Sequence, residues 1–441
     1  MRDALSALIG KAVRQVALLR GGGSALPGLV VEKLDPGFLA RTLARLPYGV
    51  VVVSGTNGKT TTTKMIVEML EAQGLRVFTN RTGSNFSRGV VAAAIQECSV
   101  RGRLNADIAV LELDEAHAKY FIARVRPRFT LLLNVLRDQL DRFGEIDTTA
   151  RLLERIADET IEGLVVNRED VLVHAIGERA RVRTSTAVPT VRAFGLAPEL
   201  RSMFPSDDDF HGAETSGHAP DALSPADVTL VELGDHSATF LIEGHEYRTP
   251  LKLEGLYNTF NAAAALATVR LILEADVTEG RKPADPSTEA VLASLAEVRP
   301  AFGRGERLEL DGEALELVLV KNPAGFRLGL ASFDTDGVEI MIAINDQYAD
   351  GRDMSWLWDV DFGSLARGGV ETVAGTRAWD MALRLEHDDV PVSHVVEDLR
   401  SALAEFRERT VGRPRRIYCT YTAMLELRRA LAEITDVEDI W

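Results

Sequence analysis

Cysteine is almost missing from this chain of 441 residues, where Cys98 and Cys419 are the only two. They lie too far apart for any C-x-x-C metal spacing, so a disulfide scaffold is excluded. One disulfide between them stays open on sequence, but sparse cysteine in a large acidic chain suits a reducing compartment and two buried thiols. Long hydrophobic runs are missing as well. No apolar stretch reaches the roughly 18 residues that a membrane span needs, and Lys11 and Arg14 interrupt the N-terminal apolar segment before it could form a signal-peptide core. A surplus of positive charge is absent too: 50 Lys+Arg stand against 66 Asp+Glu, a formal net charge of -16. No global field therefore exists to hold nucleic acid or an anionic membrane, and any anionic ligand must be held locally. No repeat of fixed period is visible, which argues against a solenoid or propeller. The expectation is a soluble cytoplasmic protein without a transmembrane segment.

What is present is ordinary globular material, 46% hydrophobic and 26% charged, long enough for about two or three domains. An N-terminal helical segment over 1–45 opens with a helix from about Ala4 to Leu19. That helix has Leu5, Leu8, Ile9, Ala12, Val13, Val16 and Leu19 on one face, and core docking is its default. From Tyr48 the apolar runs VVVS, RVFT, IAVLEL, TLLLNV and LVVN alternate with helical patterns. Such runs are the mark of parallel strands buried on both faces, so residues 46–300 read as a doubly wound α/β domain. Within it, 199–226 is rich in Asp, Ser, Pro and Gly and reads as a long loop. The segment ATFLIEGHEYRTPLKL alternates around a glycine and reads as a hairpin at the domain edge. Residues 301–441 repeat the alternation with LELVLV, VEIMIAIN, VETVAGT, the helix WDMALRLEH and IYCTY, a second and smaller α/β domain.

The strand VVVS runs into Ser54-Gly55-Thr56-Asn57-Gly58-Lys59-Thr60-Thr61-Thr62 and then into an amphipathic helix. Strand, glycine turn, Lys-Thr and helix are the context of a phosphate loop. The glycines free backbone N–H groups to face phosphate oxygens, Lys59 neutralises the β and γ phosphates, and a threonine hydroxyl can ligate Mg2+. A plain tight β–α turn is the bland competitor, and it offers no reason for Lys-Thr at the helix start. Val53 stands where the eight-residue form of the motif has its first glycine.

The shortened loop GTNGKTT resembles that of the Mur ligase and folylpolyglutamate synthase superfamily, whose members join an amine to a carboxylate through an acyl phosphate. The resemblance implies a central P-loop ATPase domain and implies ATP and Mg2+ as cofactors. In IAVLELDE it places Glu112 at a strand end as a Mg2+ ligand beside Thr60; the competitor is a solvated acidic patch of Glu112, Asp114 and Glu115. NVLRDQLDRFGEID resembles the segment that closes over nucleotide and metal, with Asn134, Asp138 and Asp141 as candidates and Gln139 where relatives often carry histidine. LVVNRED offers Asn167 and Asp170 near the nucleotide, although a plain αβ loop explains them equally. EGLYNTFNAAAALA has Asn258 and Asn261 one turn apart, suited to adenine edges or to a helix cap. FGRGER supplies Arg304, resembling a linker arginine that reaches nucleotide phosphate.

KNPAGF and NDQYADGRDMSWLWDVDF resemble the MurT family of ligase subunits, over nearly the whole chain. That resemblance implies ATP-dependent amidation of the α-carboxylate of the D-isoglutamyl residue in the lipid II stem peptide, peripheral to the inner membrane face. Ammonia would come from a GatD-like glutamine amidotransferase in a heterodimer. It implies that Asp353, with Asp350 as rival, orients the partner's catalytic histidine; a helix cap for SWLWD is the bland reading. Relatives often carry a four-cysteine zinc ribbon where this chain has the cysteine-free 199–226 loop, so no zinc is expected and His211 and His218 read as loop residues. The catalytic candidates are thus Lys59, Glu112 and Asp353, and the nucleotide candidates are Gly55, Thr56, Asn57, Gly58, Lys59, Thr60, Thr61, Asn134, Asn167, Asp170, Asn258, Asn261 and Arg304. Two rivals are an amino-acid ligase of Mur or folylpolyglutamate type and an ATP-binding regulatory subunit without its own turnover.

Overall fold

A computed structural model of the chain describes residues 2–19, 26–80, 87–136, 146–183, 189–203, 225–234, 236–253, 256–275, 287–299, 304–332, 337–351 and 353–437. The chain divides into two compact units, one of Met1–Val135, Ile146–Lys252 and Asn258–Arg299, the other built mainly on Pro300–Trp441.

The first unit opens with helices α1 (Arg2–Leu19), α2 (Leu26–Leu34) and α3 (Phe38–Leu43). The expected N-terminal helix is there, but its buried face is not the one its large apolar residues mark. Ala7 and Ala17 turn inward, and a Cβ on Gly10 would sit 2.8 Å from Ile95 Cγ2, whereas Leu5, Leu8 and Val16 are more than half exposed. Periodicity reveals that a helix has sides; close packing onto α2 and α5 (Ser87–Glu97) selects the side with the smallest residues. Asp3 pairs with Arg41 of α3 at 2.7 Å and holds the helix in register.

A nine-stranded sheet follows: β1 (Val50–Ser54), β2 (Val77–Thr79), β3 (Ile108–Glu112), β4 (Phe129–Leu132), β5 (Gly163–Asn167), β6 (Thr190–Leu196), β7 (Val228–Gly234), β8 (Ser237–Ile242) and β9 (His245–Pro250). Their order is β2-β3-β1-β4-β5-β6-β7-β8-β9. All pairings up to β7 are parallel, and β8–β9 is the expected antiparallel hairpin at the edge. Every residue of β1, β3, β4 and β5 is buried, as runs covered on both faces require. Helices α4 (Lys59–Ala72), α6 (Glu115–Ile122), α7 (Ile146–Asp158), α8 (Val171–Arg181), α9 (Leu256–Glu274) and α10 (Thr288–Glu297) complete the described unit. In α9, Ala262 through Ala265 are fully enclosed, the behaviour of a helix apolar all round.

In the second unit the sheet order is β10-β11-β15-β12-β13-β14. Here β10 (Arg304–Leu310) and β11 (Glu313–Leu319) form an antiparallel hairpin, turning at Asp311 and Gly312 with positive φ at both. Parallel strands β12 (Glu339–Ala343), β13 (Val370–Ala374), β14 (Val392–Val396) and β15 (Arg415–Cys419) join β11, with helices α11 (Pro323–Ser332), α12 (Ala378–His387), α13 (Leu399–Arg409) and α14 (Tyr421–Leu431). Phe326 sits at the centre of one core, with Phe362 edge-on at 5.0 Å and Tyr418 at 5.5 Å. The SWLWD segment forms only a 3-10 turn, Ser355–Asp359, and not a longer helix.

Both cysteines are buried and no disulfide joins them, Cys98 lying in the first unit and Cys419 in the second. Of the expected loop at 199–226, Pro198–Met203 forms a 3-10 turn. Residues 204–224, with His211 and His218, lie outside the described residues. Among the described residues no helix is long and apolar enough to cross a membrane.

Candidate active site

In a parallel sheet, ligands bind outside the carboxyl ends of the strands where the strand order reverses. Here β1 is that strand: the chain leaves it for β2 on one side and later returns to β4 on the other. Gly55 follows β1, Glu112 ends β3, Asn134 follows β4 and Asn167 ends β5, so four candidates meet at one rim because all four strands run parallel.

The loop has the backbone its glycines allow. Gly58 precedes α4 at φ 86°, left-handed, and a Cβ there would meet Asn261 Oδ1 at 2.8 Å. Gly55 lies at φ 135°, where a Cβ would meet the Asn134 nitrogen at 2.9 Å. Asn261 and Asn134 therefore flank the loop from opposite elements, whereas sequence spacing could say only that Asn258 and Asn261 share a helix face.

Lys59 is 5% exposed. Its ammonium donates to the carbonyl oxygens of Gly55 and Thr56, the latter at 3.1 Å, and lies 3.7 Å from Glu115 Oε1. Thr60 Oγ1 donates to Glu112 Oε1 at 3.0 Å. Asn80, just past β2, braces Glu112 on both backbone sides: it accepts from the Glu112 N–H at 3.0 Å and donates to its carbonyl at 2.8 Å. The solvated acidic patch is ruled out for two of its members, since Glu112 and Glu115 are both buried. Asp114 instead caps α6 by accepting from the Ala116 N–H at 3.2 Å.

Asn134, Asn167 and Asp170 hold backbone. Asn134 accepts from the Asn57 N–H at 2.8 Å and donates to the Asn57 carbonyl at 3.1 Å, and its own carbonyl accepts from the Thr56 N–H at 3.0 Å. Asn167 donates to the Leu133 carbonyl at 2.8 Å. Asp170 accepts from the Val135 N–H at 2.7 Å while capping α8 through the Val173 N–H at 2.9 Å. These three tie the exit of β4 to the phosphate loop and to β5. Asp138, Gln139 and Asp141 lie outside the described residues, as does the Arg304 side chain, whose backbone opens β10 opposite Val318.

Asn80 was not a candidate on sequence, and Glu115 entered there only as part of the competing acidic patch. The signal for Asn80 was its place just past a strand that neighbours β3. Glu115 carried no local signal, because its partner Lys59 lies on another element.

A nucleotide with Mg2+ fits this arrangement. The loop approaches Asn134 and Asn261 too closely for any Cβ, Lys59 supplies a buried cation, and the buried Thr61 Oγ1 has no hydrogen-bond partner among the described residues. One hydroxyl and one carboxylate suit Mg2+, which keeps water and phosphate oxygens in its remaining positions. No group of three or more His, Cys, Asp or Glu that could hold a metal ion occurs among the described residues.

In the second unit the two candidate aspartates are sharply different. Asp350 is 1% exposed and accepts from the backbone N–H of Thr422 at 2.7 Å and of Gln347 at 3.1 Å, and from the Thr422 hydroxyl. Burial pushes its carboxyl up from the ordinary range. Asp353 is exposed, and hydrogen bonds from the Ser355 side chain and from the Ser355 N–H, the latter at 2.9 Å, hold its carboxyl below the ordinary range, hence ionised at neutral pH.

Known proteins resemble the chain over most of its length. The Mur ligase middle domain family matches residues 53–269, and the MurT ligase C-terminal family matches residues 319–424. The subunit MurT of lipid II isoglutaminyl synthase (glutamine-hydrolyzing) from Streptococcus pneumoniae is 29% identical, over 98% of this chain and 97% of its own. Its counterpart from Staphylococcus aureus is also 29% identical, over 92% of each chain. Among solved structures, a pseudomurein peptide ligase type C from Methanothermus fervidus superposes with a TM-score of 0.65 at 16% identity, covering 90% of this chain and 80% of that one. MurF from Thermotoga maritima in complex with ADP gives 0.64 at 15% identity, covering 92% and 83%. At such identities the two structures speak to the fold alone.

Proposed function

The chain belongs to the MurT family of Mur ligase-type proteins, and on that premise we propose that it is the ligase subunit of a lipid II isoglutaminyl synthase. ATP transfers its terminal phosphoryl group to the α-carboxylate of the D-isoglutamyl residue in the stem peptide. Ammonia then attacks the acyl phosphate, inorganic phosphate leaves, and D-isoglutamine results. The observation that carries this reading is the Thr60–Glu112 hydrogen bond beside a buried Lys59 at the exit of β1.

Loose phosphoryl-transfer transition states are stabilised mainly by position and charge. Lys59 offsets negative charge on the phosphates, and the N-terminus of α4 presents its N–H groups to them. Thr60 and Glu112 would hold Mg2+, which when bound supplies further charge compensation to the phosphoryl group. Asn134 and Asn261 keep the loop in the shape these contacts need.

Glutamine hydrolysis has no nucleophile among the described residues. Both cysteines are buried, and burial pushes the Cys98 thiol up, away from the reactive thiolate. In this reading a GatD-like glutaminase subunit supplies the ammonia, and Asp353, exposed and ionised, accepts a hydrogen bond from the Nδ1–H of the partner's histidine. Asp350 is already committed to Thr422 and Gln347 within its own domain. The chain works at the membrane surface as a visitor to its lipid-linked substrate.

Co-expression with a small glutaminase, followed by amidation assays on lipid II with glutamine and with ammonium, tests the proposal. ATP-dependent conversion to the isoglutamine form supports it. Ligation of an amino acid in place of ammonia would favour the amino-acid ligase, and nucleotide binding without any substrate-dependent turnover would favour the regulatory subunit.

A further inference from the structure

Two carboxylates three residues apart reach two successive residues of the phosphate loop. Strand β3 delivers Glu112 to Thr60, and the first residue of α6, Glu115, lies 3.7 Å from the ammonium of Lys59. The turn between them is held by Asp114, which caps α6, and by Asn80, which braces the Glu112 peptide. Glu115 is 3% exposed, so its carboxylate has been taken out of water. The reading in which it merely meets solvent does not apply.

Lys59 needs such a partner. It is the first residue of α4, where the helix dipole is positive and an ammonium is poorly placed, and it is buried as well. The carbonyl oxygens of Gly55 and Thr56 take two of its N–H donors from one side. Glu115 supplies negative charge from another element. A four-carbon side chain has many rotamers, and contacts from separate elements restrict it to few.

We propose that Glu115 is the positioning residue for Lys59, aiming its ammonium into the phosphate loop, while Glu112 serves Thr60 and the cation. The division of labour rests on the nucleotide reading of the site and specifies it further. Glu115 touches neither phosphate nor metal in this role; it acts through Lys59.

Lys64, on the same helix, is a built-in control, for it is also buried and has its own partner in Glu68 at 3.6 Å. The full chain, without nucleotide, is treated with acetic anhydride, and the rates of modification at Lys59 and Lys64 are compared by mass spectrometry. In Glu115→Gln the rate at Lys59 rises several-fold and that at Lys64 does not; Glu115→Asp falls between this variant and the parent. Glu112→Gln leaves the Lys59 rate unchanged. In the assembled enzyme, Glu115→Gln lowers kcat about 10- to 100-fold, the scale of a misaligned reacting group, with little change in the KM for ATP and none in the Mg2+ requirement. Glu112→Gln instead raises the Mg2+ requirement. An unchanged Lys59 rate in Glu115→Gln, or an equal rise at Lys64, overturns the proposal, the second outcome marking Glu115 as structural. Failure of the parent protein to bind ATP in calorimetry overturns the nucleotide reading instead, separately from the lysine labelling.

Discussion

Asn134 exchanges two hydrogen bonds with the backbone of Asn57, accepting from its N–H at 2.8 Å and donating to its carbonyl at 3.1 Å. The residues are far apart in sequence, one after β4 and one inside the phosphate loop, and the side-chain amide completes what amounts to one more rung beside the β1–β4 pairing. Replacing it with alanine removes both bonds. Asn134→Ala is expected to lower stability by about 1–3 kcal/mol, the usual net worth of two hydrogen bonds, and to weaken ATP binding through a looser loop. Urea unfolding and nucleotide titration check the two effects; an unchanged ATP affinity would show that the loop keeps its shape without the clamp.

Lys59→Ala should abolish ATP turnover while the fold and any partner complex persist. Losing one preorganised charge from a transferring group costs roughly 3–4 kcal/mol in comparable sites, or about 100- to 1,000-fold in rate. Near-normal turnover in the variant would mean that the glycine turn is structural.

The two aspartates of the C-terminal domain should separate experimentally. Asp353→Asn is expected to spare ATP hydrolysis and ammonium-driven amidation but to cripple glutamine-driven amidation, because an amide cannot stabilise an imidazolium; a comparable loss in a serine protease costs about 10,000-fold. Asp350→Asn should act on folding instead, disturbing the contacts to Thr422 and Gln347. Equal service of glutamine and ammonium by Asp353→Asn would leave Asp353 as a cap for the turn at Ser355.

Acid should weaken the second unit through Asp311 and Asp388. Hydrogen bonds from Arg407 and Arg384, respectively, hold these carboxyls below the ordinary aspartate value of 3.8. A depressed folded-state pKa contributes stability that is present above the unfolded value and lost as pH falls through the folded one. Asp350 works in the opposite sense, since its raised carboxyl costs more stability as pH rises from 3.8. Urea midpoints should therefore drop below about pH 4, and the slope should be shallower in Asp388→Asn. A variant with the parent's slope would remove Asp388 from the account.

Sequence alone determined the glycine loop between a strand and a helix, the buried parallel strands and the second α/β domain. Each is written in contiguous residues: apolar runs need no distant partner to be recognised, and Gly58-Lys59-Thr60 between a strand and a helix states its chemistry locally. Glu112 and Asn134 were legible for a related reason, as polar residues at the carboxyl ends of strands whose parallel direction sends them to the same rim. What only the tertiary structure decided is which polar groups are withdrawn from water and which side of an element packs. Glu115 became a partner of Lys59 because the fold brings the first residue of α6 to the first residue of α4, and Asn80 became a brace because β2 lies beside β3. Helix α1 turned Ala7, Gly10 and Ala17 inward and left Leu5, Leu8 and Val16 outside, since close approach of helices selects small residues and a hydrophobic period does not. Asp350 and Asp353, three residues apart and chemically identical, were separated by their surroundings: the first is enclosed with donors from Thr422 of α14 and from Gln347, and the second stays in solvent.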